Sequence, residues 1–246
     1  EFGNGVVGIR QSGDIAITSN VDDADSNLGR LSFTATGEAG KYTAAVQLTK
    51  PGEHTLTAKV GSAPDQTANV RVINSTNNGA VTRVVLEVDN HSVEVGETLG
   101  VTIRLFDRYD NGVVGDLALL RLTNTPAKGF SIVTSPRTTG EPGVYQAAVK
   151  MTTSGANGLV AEFGNGMRSD SQSIQVKFPR GTASVKRVES VTPSPTDINP
   201  GERLTVTVKL TDEYGNGVVE AGNFKLLSKH PKHPTLTRIT FTPGSG

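Results

Sequence analysis

The chain has no cysteine and no tryptophan, and its 246 residues include only two methionines and four histidines, with aromatic residues at 5%. Without cysteine there is no disulfide framework and no thiolate metal centre. A β domain built on a disulfide packed against tryptophan, as in antibodies, is excluded. Such a chain folds without needing an oxidant, which fits an exported protein and a cytoplasmic one alike. The low aromatic fraction leaves little for a sugar-stacking platform. The 24 basic and 24 acidic side chains cancel, so no net field draws the chain to nucleic acid or anionic lipid, and neither is expected as a partner. No run of about 18 apolar residues occurs, and no membrane insertion is expected of this segment. Glu1-Phe2-Gly3-Asn4-Gly5 reads as the inside of a repeat instead of a signal peptide, and Gly246 falls inside another. Any export signal, anchor or tip domain is therefore expected outside this segment.

Repetition dominates what is present. Leu99 to Val114, LGVTIRLFDRYDNGVV, returns as Leu204 to Val219, LTVTVKLTDEYGNGVV, at an offset of 105 residues from Tyr109 to Tyr214. The tail of this block, Phe2-Gly3-Asn4-Gly5-Val6-Val7, also opens the chain. A second block, Gly37 to Val46, matches Gly140 to Val149 at an offset of 103 residues from Tyr42 to Tyr145. The same offset lays Gly52 on Gly155 and Leu56, Ala58 and Val60 on Leu159, Ala161 and Phe163. Two blocks in register, about a hundred residues apart, describe one small domain repeated.

The blocks read as strands and turns. Leu99, Val101, Ile103 and Leu105 alternate with Thr102 and Arg104, as Leu204, Val206, Val208 and Leu210 alternate with Thr205, Thr207 and Lys209. A period of two is a strand with one buried face. Asp-x-Tyr-x-Asn-Gly follows at Asp107–Gly112 and Asp212–Gly217, where Asn-Gly supplies positive φ and the aspartate accepts backbone amide protons. Further strands are expected at Ile15–Ile17, Leu31–Phe33, around Tyr42, and at Leu56–Val60 and Val70–Ile73. In the complete repeat they are expected at Arg83–Val88, Ser92–Val95, Leu117–Leu122, Phe130–Val133, Val144–Met151, Leu159–Phe163 and Ser173–Val176. No helix of any length is expected. The fold class is all-β, tandem immunoglobulin-like antiparallel β-sandwiches. The domains are 1–76, a partial repeat holding later strands; 80–177, a complete repeat; and 183–246, a partial repeat holding early strands. Asn74–Gly79 and Lys177–Thr182 read as linkers, the second stiffened by proline.

These blocks resemble the tandem immunoglobulin-like repeats of the intimin and invasin family of bacterial outer-membrane adhesins. The residues that carry the resemblance are Asp107, Asn111, Gly112, Val113 and Val114 with Asp212, Asn216, Gly217, Val218 and Val219. With them go Gly40, Tyr42, Ala44, Val46, Leu56 and Ala58, repeated as Gly143, Tyr145, Ala147, Val149, Leu159 and Ala161. Val113 and Val218 stand where the family usually has proline. The resemblance implies a stalk or spacer on the extracellular side of the outer membrane, presenting a terminal binding domain. It implies a host-cell or surface receptor bound outside this segment, with neighbouring repeats as the partners here. The alternatives are an immunoglobulin-like module that binds glycan or host protein itself, and an intracellular filamin-like cross-linker. Filamin repeats share the Gly-x-Tyr strand, but their cysteine-bearing opening strand and Gly-Ser-Pro-Phe linker are missing.

No catalytic constellation is legible, and the chain is read as a non-enzyme without a cofactor. A nucleophilic triad needs a histidine beside a serine and a carboxylate, whereas His54, His91, His230 and His233 read as surface residues in turn-like stretches. His230-Pro231-Lys232-His233-Pro234 reads as a solvated loop, because its lysines disfavour a cation. Asp22, Asp23 and Asp25 supply hard oxygens that would suit calcium, but they lack the glycine and distal glutamate of an EF-hand, so a polar loop is expected. All four tyrosines occupy repeated positions and read as core residues with tethered hydroxyls. Asn74-Ser75-Thr76 matches a glycosylation acceptor that a bacterium would leave unused. Lys225, Lys229, Lys232 and Arg238 read as a solvated basic face.

Overall fold

The structure, a computed structural model, describes residues 15–164 and 166–222. It is an all-β protein of tandem immunoglobulin-like sandwiches. No α-helix occurs among the described residues, where helical backbone is limited to single 3₁₀ turns such as Leu28–Arg30 and Leu117–Leu119. With 28 glycines and 12 prolines punctuating short alternating runs, no stretch keeps the apolar period a helix needs. The chain divides into two units: Glu1–Arg83 with Leu105–Asp116 and Gly140–Val144, and Val84–Arg104 with Leu117–Thr139 and Tyr145–Gly246.

The first unit holds an antiparallel sheet of β1 (Ile15–Ser19), β4 (Gly52–Val60) and β5 (Gln66–Val72), with β4 in the middle, and a small hairpin of β2 (Thr34–Ala35) and β3 (Tyr42–Thr43). Leu31 lies outside any strand, contrary to expectation, and is a single buried anchor following a 3₁₀ turn. Val81 and Val113 are also fully buried. The two repeated blocks meet in this unit. A Cβ on Gly112 would lie 2.1 Å from the Pro142 carbonyl oxygen, and one on Gly143 would lie 2.7 Å from the Gly112 Cα. Only two glycines permit that approach, which is the packing reason for Asn-Gly and Gly-x-Tyr to occur as a pair. The Leu105 N–H donates to the Gly143 carbonyl at 2.9 Å and closes the contact.

The strands lying wholly or mostly in the second unit are β6 (Arg83–Val88), β7 (Ser92–Glu94), β8 (Thr98–Phe106), β9 (Leu120–Thr125), β10 (Phe130–Thr138), β11 (Val144–Met151), β12 (Gly155–Phe163), β13 (Met167–Arg168), β14 (Gln172–Lys177), β15 (Arg187–Ser194) and β16 (Thr205–Thr211). One sheet runs β10-β11-β8-β6, and another runs β13-β12-β14-β7 with β9 also on β12. Leu99, Val101 and Ile103 of β8 are buried to 3% exposure or less, as are Val149 and Met151 of β11 and Leu159, Ala161 and Phe163 of β12. Each large aliphatic side chain so buried contributes about 1.5–3 kcal/mol.

One expectation fails here. Residues 117–122 do not form one strand: Leu117 and Leu119 are exposed in a 3₁₀ turn, and β9 starts at Leu120 with Leu120 and Leu122 buried. The run Leu-Ala-Leu-Leu-Arg-Leu offers two phases of alternation, and the turn selects the second. The sheets are antiparallel as expected, with one parallel pairing, β7 beside β14 with Ser92 opposite Gln175. In the same unit β15 and β16 form a two-stranded antiparallel sheet, with β15 exposed along its length.

Candidate functional site

The repeated turn is the best-defined polar arrangement in the chain, and both copies build it alike. In the first unit, Asp107 Oδ1 accepts from the backbone N–H of Tyr109 at 2.8 Å and of Asn111 at 2.9 Å. The Asn111 Nδ2 donates to Asp107 Oδ2 at 3.1 Å. In the second unit, Asp212 Oδ1 accepts from Tyr214 and Asn216 at 2.9 and 2.8 Å, and Asn216 Nδ2 donates to Asp212 Oδ2 at 2.9 Å. Contrary to expectation, the positive φ falls not in the Asn-Gly pair but on the residue before it, Gly215 at φ 87° in one copy and Asp110 at φ 61° in the other, a conformation aspartate tolerates better than most side chains. Burial pushes the Asp107 carboxyl up, but the hydrogen bonds from Asn111 and Tyr109 and the Lys50 charge outweigh it and hold it below the ordinary 3.8.

The asparagine also reaches out of its own turn. Asn111 Nδ2 donates to the Thr49 carbonyl at 2.7 Å, 62 residues earlier, and Asn216 Nδ2 donates to the Thr152 carbonyl at 2.9 Å, 64 residues earlier. Thr49 and Thr152 are themselves 103 residues apart, so both turns grip the same place on the block that precedes them. The linkers add a second grip. Val114 N–H donates to the Ser75 carbonyl and Asn74 Nδ2 to the Gly112 carbonyl, both at 2.9 Å. At the other linker, Val219 N–H donates to the Pro179 carbonyl and Gly181 N–H to the Val219 carbonyl, again at 2.9 Å. The valine after each turn is thus pinned to the linker before it.

Two positions read as solvated are interior. His54 was expected at the surface and is fully buried in β4. The Lys50 carbonyl can only accept, so Nε2–H donates to it at 2.7 Å, and Nδ1 then accepts from Ser19 Oγ at 3.0 Å. The missed signal was the offset of 103 that lays His54 on Asn157, whose Nδ2 donates to the Thr153 carbonyl at 2.9 Å, likewise four residues back. Asp23, offered as a calcium ligand, is buried and spent on the protein itself. Its oxygens accept from Thr49 N–H at 2.6 Å, from Lys50 N–H at 3.2 Å and from the Thr49 hydroxyl. Burial raises its pKa, but the bonds from Thr49 and Lys50 outweigh that and leave the carboxyl below 3.8. Asp22 and Asp25 are exposed, and among the described residues no three acidic or histidine side chains gather as a metal site.

The tyrosines divide. Tyr145 is buried at 1% exposure, as expected, but Tyr214 is 40% exposed. Tyr109 lies at the turn surface, its hydroxyl accepting from Gln47 Nε2 at 2.7 Å and its ring under the Arg108 guanidinium at 4.5 Å. A tyrosine inside a turn has no strand to aim it inward, so the core role holds for Tyr145 and fails for these two. His91 is exposed, with Nδ1 against the Ser173 carbonyl at 2.9 Å. The opening Phe2–Val7 copy, His230, His233, Lys225, Lys229, Lys232 and Arg238 lie outside the described residues.

No family model and no curated protein sequence matches the chain. Among solved structures it is similar to FdeC, an Escherichia coli adhesin, with 21% identity and a TM-score of 0.49 over 86% of this chain and 65% of that one. It is similar to InvD of Yersinia pseudotuberculosis, with 20% identity and a TM-score of 0.46 over 82% of this chain and 61% of that one. For invasin, a bacterial integrin-binding protein, the values are 18% and 0.39 over 83% and 40%. The chain therefore spans less than two thirds of each of these three structures.

Proposed function

We propose that this chain is a spacer segment of a bacterial surface adhesin, made of repeats at 1–76, 80–177 and 183–246. It sits on the extracellular side of the outer membrane and carries a receptor-binding domain located outside it. The observation that carries this reading is the recurrent grip of the turn. Asn111 and Asn216 each spend a side-chain donor on a backbone carbonyl of the block before, and each linker is pinned to the valine that follows the turn. A loosely strung array needs no such bonds; a spacer that transmits position and force does. The polar groups that recur do so in the service of folding and joining, and no step of catalysis is assigned to any of them. The test is direct binding. The isolated 246-residue chain, fluorescently labelled, is expected to show no saturable binding to host epithelial cells or to a glycan array. Saturable binding competed by unlabelled chain would instead make this segment the recognition module.

A further inference from the structure

The turn is one half of the joint; the other half is a loop whose sequence differs between copies, Thr49-Lys50-Pro51-Gly52-Glu53-His54 against Thr152-Thr153-Ser154-Gly155-Ala156-Asn157. Building on the spacer reading, we propose that this loop is a dedicated docking surface for an Asp-x-Tyr-x-Asn-Gly turn, and that His54 and Asn157 are its positioning residues.

What the turn needs is a backbone carbonyl at a fixed place, and a loop holds one only if its own polar groups are pinned. In the first copy the pins are side chains. The His54 ring holds the Lys50 carbonyl from inside the sheet, and the Asp23 carboxylate holds the Thr49 and Lys50 N–H groups. In the second copy Asn157 Nδ2 holds the Thr153 carbonyl at 2.9 Å and the Gly155 carbonyl at 3.2 Å, while the Thr152 N–H donates to the Gly129 carbonyl at 2.9 Å. Each positioning residue is held in turn by a buried or half-buried neighbour at the corresponding place: Ser19 Oγ on His54 Nδ1, and Asn124 Nδ2 on Asn157 Oδ1 at 2.9 Å. Ser19 and Asn124 are 105 residues apart. Different side chains thus reach one arrangement, in which the residue next to the gripped carbonyl is fixed from within and the carbonyl of Thr49 or Thr152 is left to the asparagine of the turn.

Because the acceptor is main chain, loops pinned by different side chains can present it equally, and this allows one turn sequence to follow loops that have diverged. The side chains add contacts particular to each joint. Lys50 Nζ donates to the Tyr109 carbonyl at 2.8 Å in the first. In the second, Ser154 N–H donates to Asn216 Oδ1 at 2.9 Å, a bond that Pro51 in the first copy has no N–H to make.

The experiment measures solvent exchange of the Asn111 and Asn216 side-chain amides by NMR in the whole chain. His54→Leu is expected to speed exchange at Asn111 at least tenfold and leave Asn216 within twofold, and Asn157→Leu to do the reverse. His54→Asn, which imports the solution of the other copy, is expected to restore Asn111 to within threefold of the parent. If His54→Leu speeds exchange of the β4 and β5 backbone amides but not of the Asn111 side chain, His54 only fills the sheet and the proposal fails. It fails equally if both variants loosen both joints alike. Should His54→Leu not fold, Asn157→Leu and His54→Asn carry the same test. Cell binding by the chain would end the spacer reading and leave these rates where they are, so the two claims fail separately.

Discussion

Replacing Asn111 by aspartate keeps the shape of the side chain and deletes only its donor. The Nδ2 bonds to the Thr49 carbonyl at 2.7 Å and to Asp107 Oδ2 at 3.1 Å disappear, while the backbone bonds to Asp107 Oδ1 stay. A neutral hydrogen bond is worth about 1 kcal/mol net and one to a charged acceptor about 1.5–3 kcal/mol, with the lower end fitting a half-exposed site. The substituted carboxylate also faces Asp107 and a carbonyl oxygen, both negative. The sum is about 2–3 kcal/mol, which multiplies the opening equilibrium of the joint by roughly 30 to 150. Global unfolding of a multi-unit chain is not two-state, so the assay is native-state hydrogen exchange read at the backbone amides of residue 111 and Val114, with the backbone amides of Asn216 and Val219 as internal reference. Acidification should shrink the defect, because a protonated carboxyl donates to the Thr49 carbonyl again. An Asn111→Asp chain whose local exchange stays within a factor of three of the parent would refute the reasoning. So would a defect that does not change between neutral pH and about pH 4.

Four further outcomes follow from the same geometry. Asp107 and Asp23 both have folded-state pKa values below 3.8, so their contribution is complete well above 3.8 and lost as pH falls through the folded values. Thermal midpoints should therefore hold from neutral to about pH 5 and then drop, and Asp107→Asn with Asp23→Asn should flatten that drop. Tyr145→Ala should cost about 3–5 kcal/mol by native-state hydrogen exchange at the β11 amides, whereas Tyr214→Ala, at a 40% exposed position, should cost under about 1 kcal/mol at the amides of its own turn. Gly112→Ala forces a Cβ to within 2.1 Å of the Pro142 carbonyl oxygen, and about 3 kcal/mol or more should be lost, visible as loss of protection at the Leu105 amide. Adding calcium or chelator should not move the melting midpoint by more than a degree, since the Asp23 oxygens already accept three protein donors.

The repeats, the all-β class and most strands can be read from the residues alone, since alternation, Asn-Gly turns and a near-hundred-residue offset are local or statistical properties of the chain. Strand phase is less legible. At Leu117–Leu122 both phases are apolar, and the choice rests on which leucines meet the core. The role of His54 is hidden for a related reason: a histidine between Glu53 and Thr55 looks solvated until Ser19 and the Lys50 carbonyl are placed on either side of its ring. Aligning it with Asn157 would have flagged the position but not its partners.

By itself the sequence determined that Asp107 to Gly112 and Asp212 to Gly217 are turns, because aspartate, asparagine and glycine clustered after an alternating strand favour that backbone. That each turn is also half of a joint was decided only by the tertiary structure. The second acceptor of the asparagine amide lies 62 or 64 residues away along the chain, and no local rule connects residues so far apart until the sheets bring them to hydrogen-bonding distance.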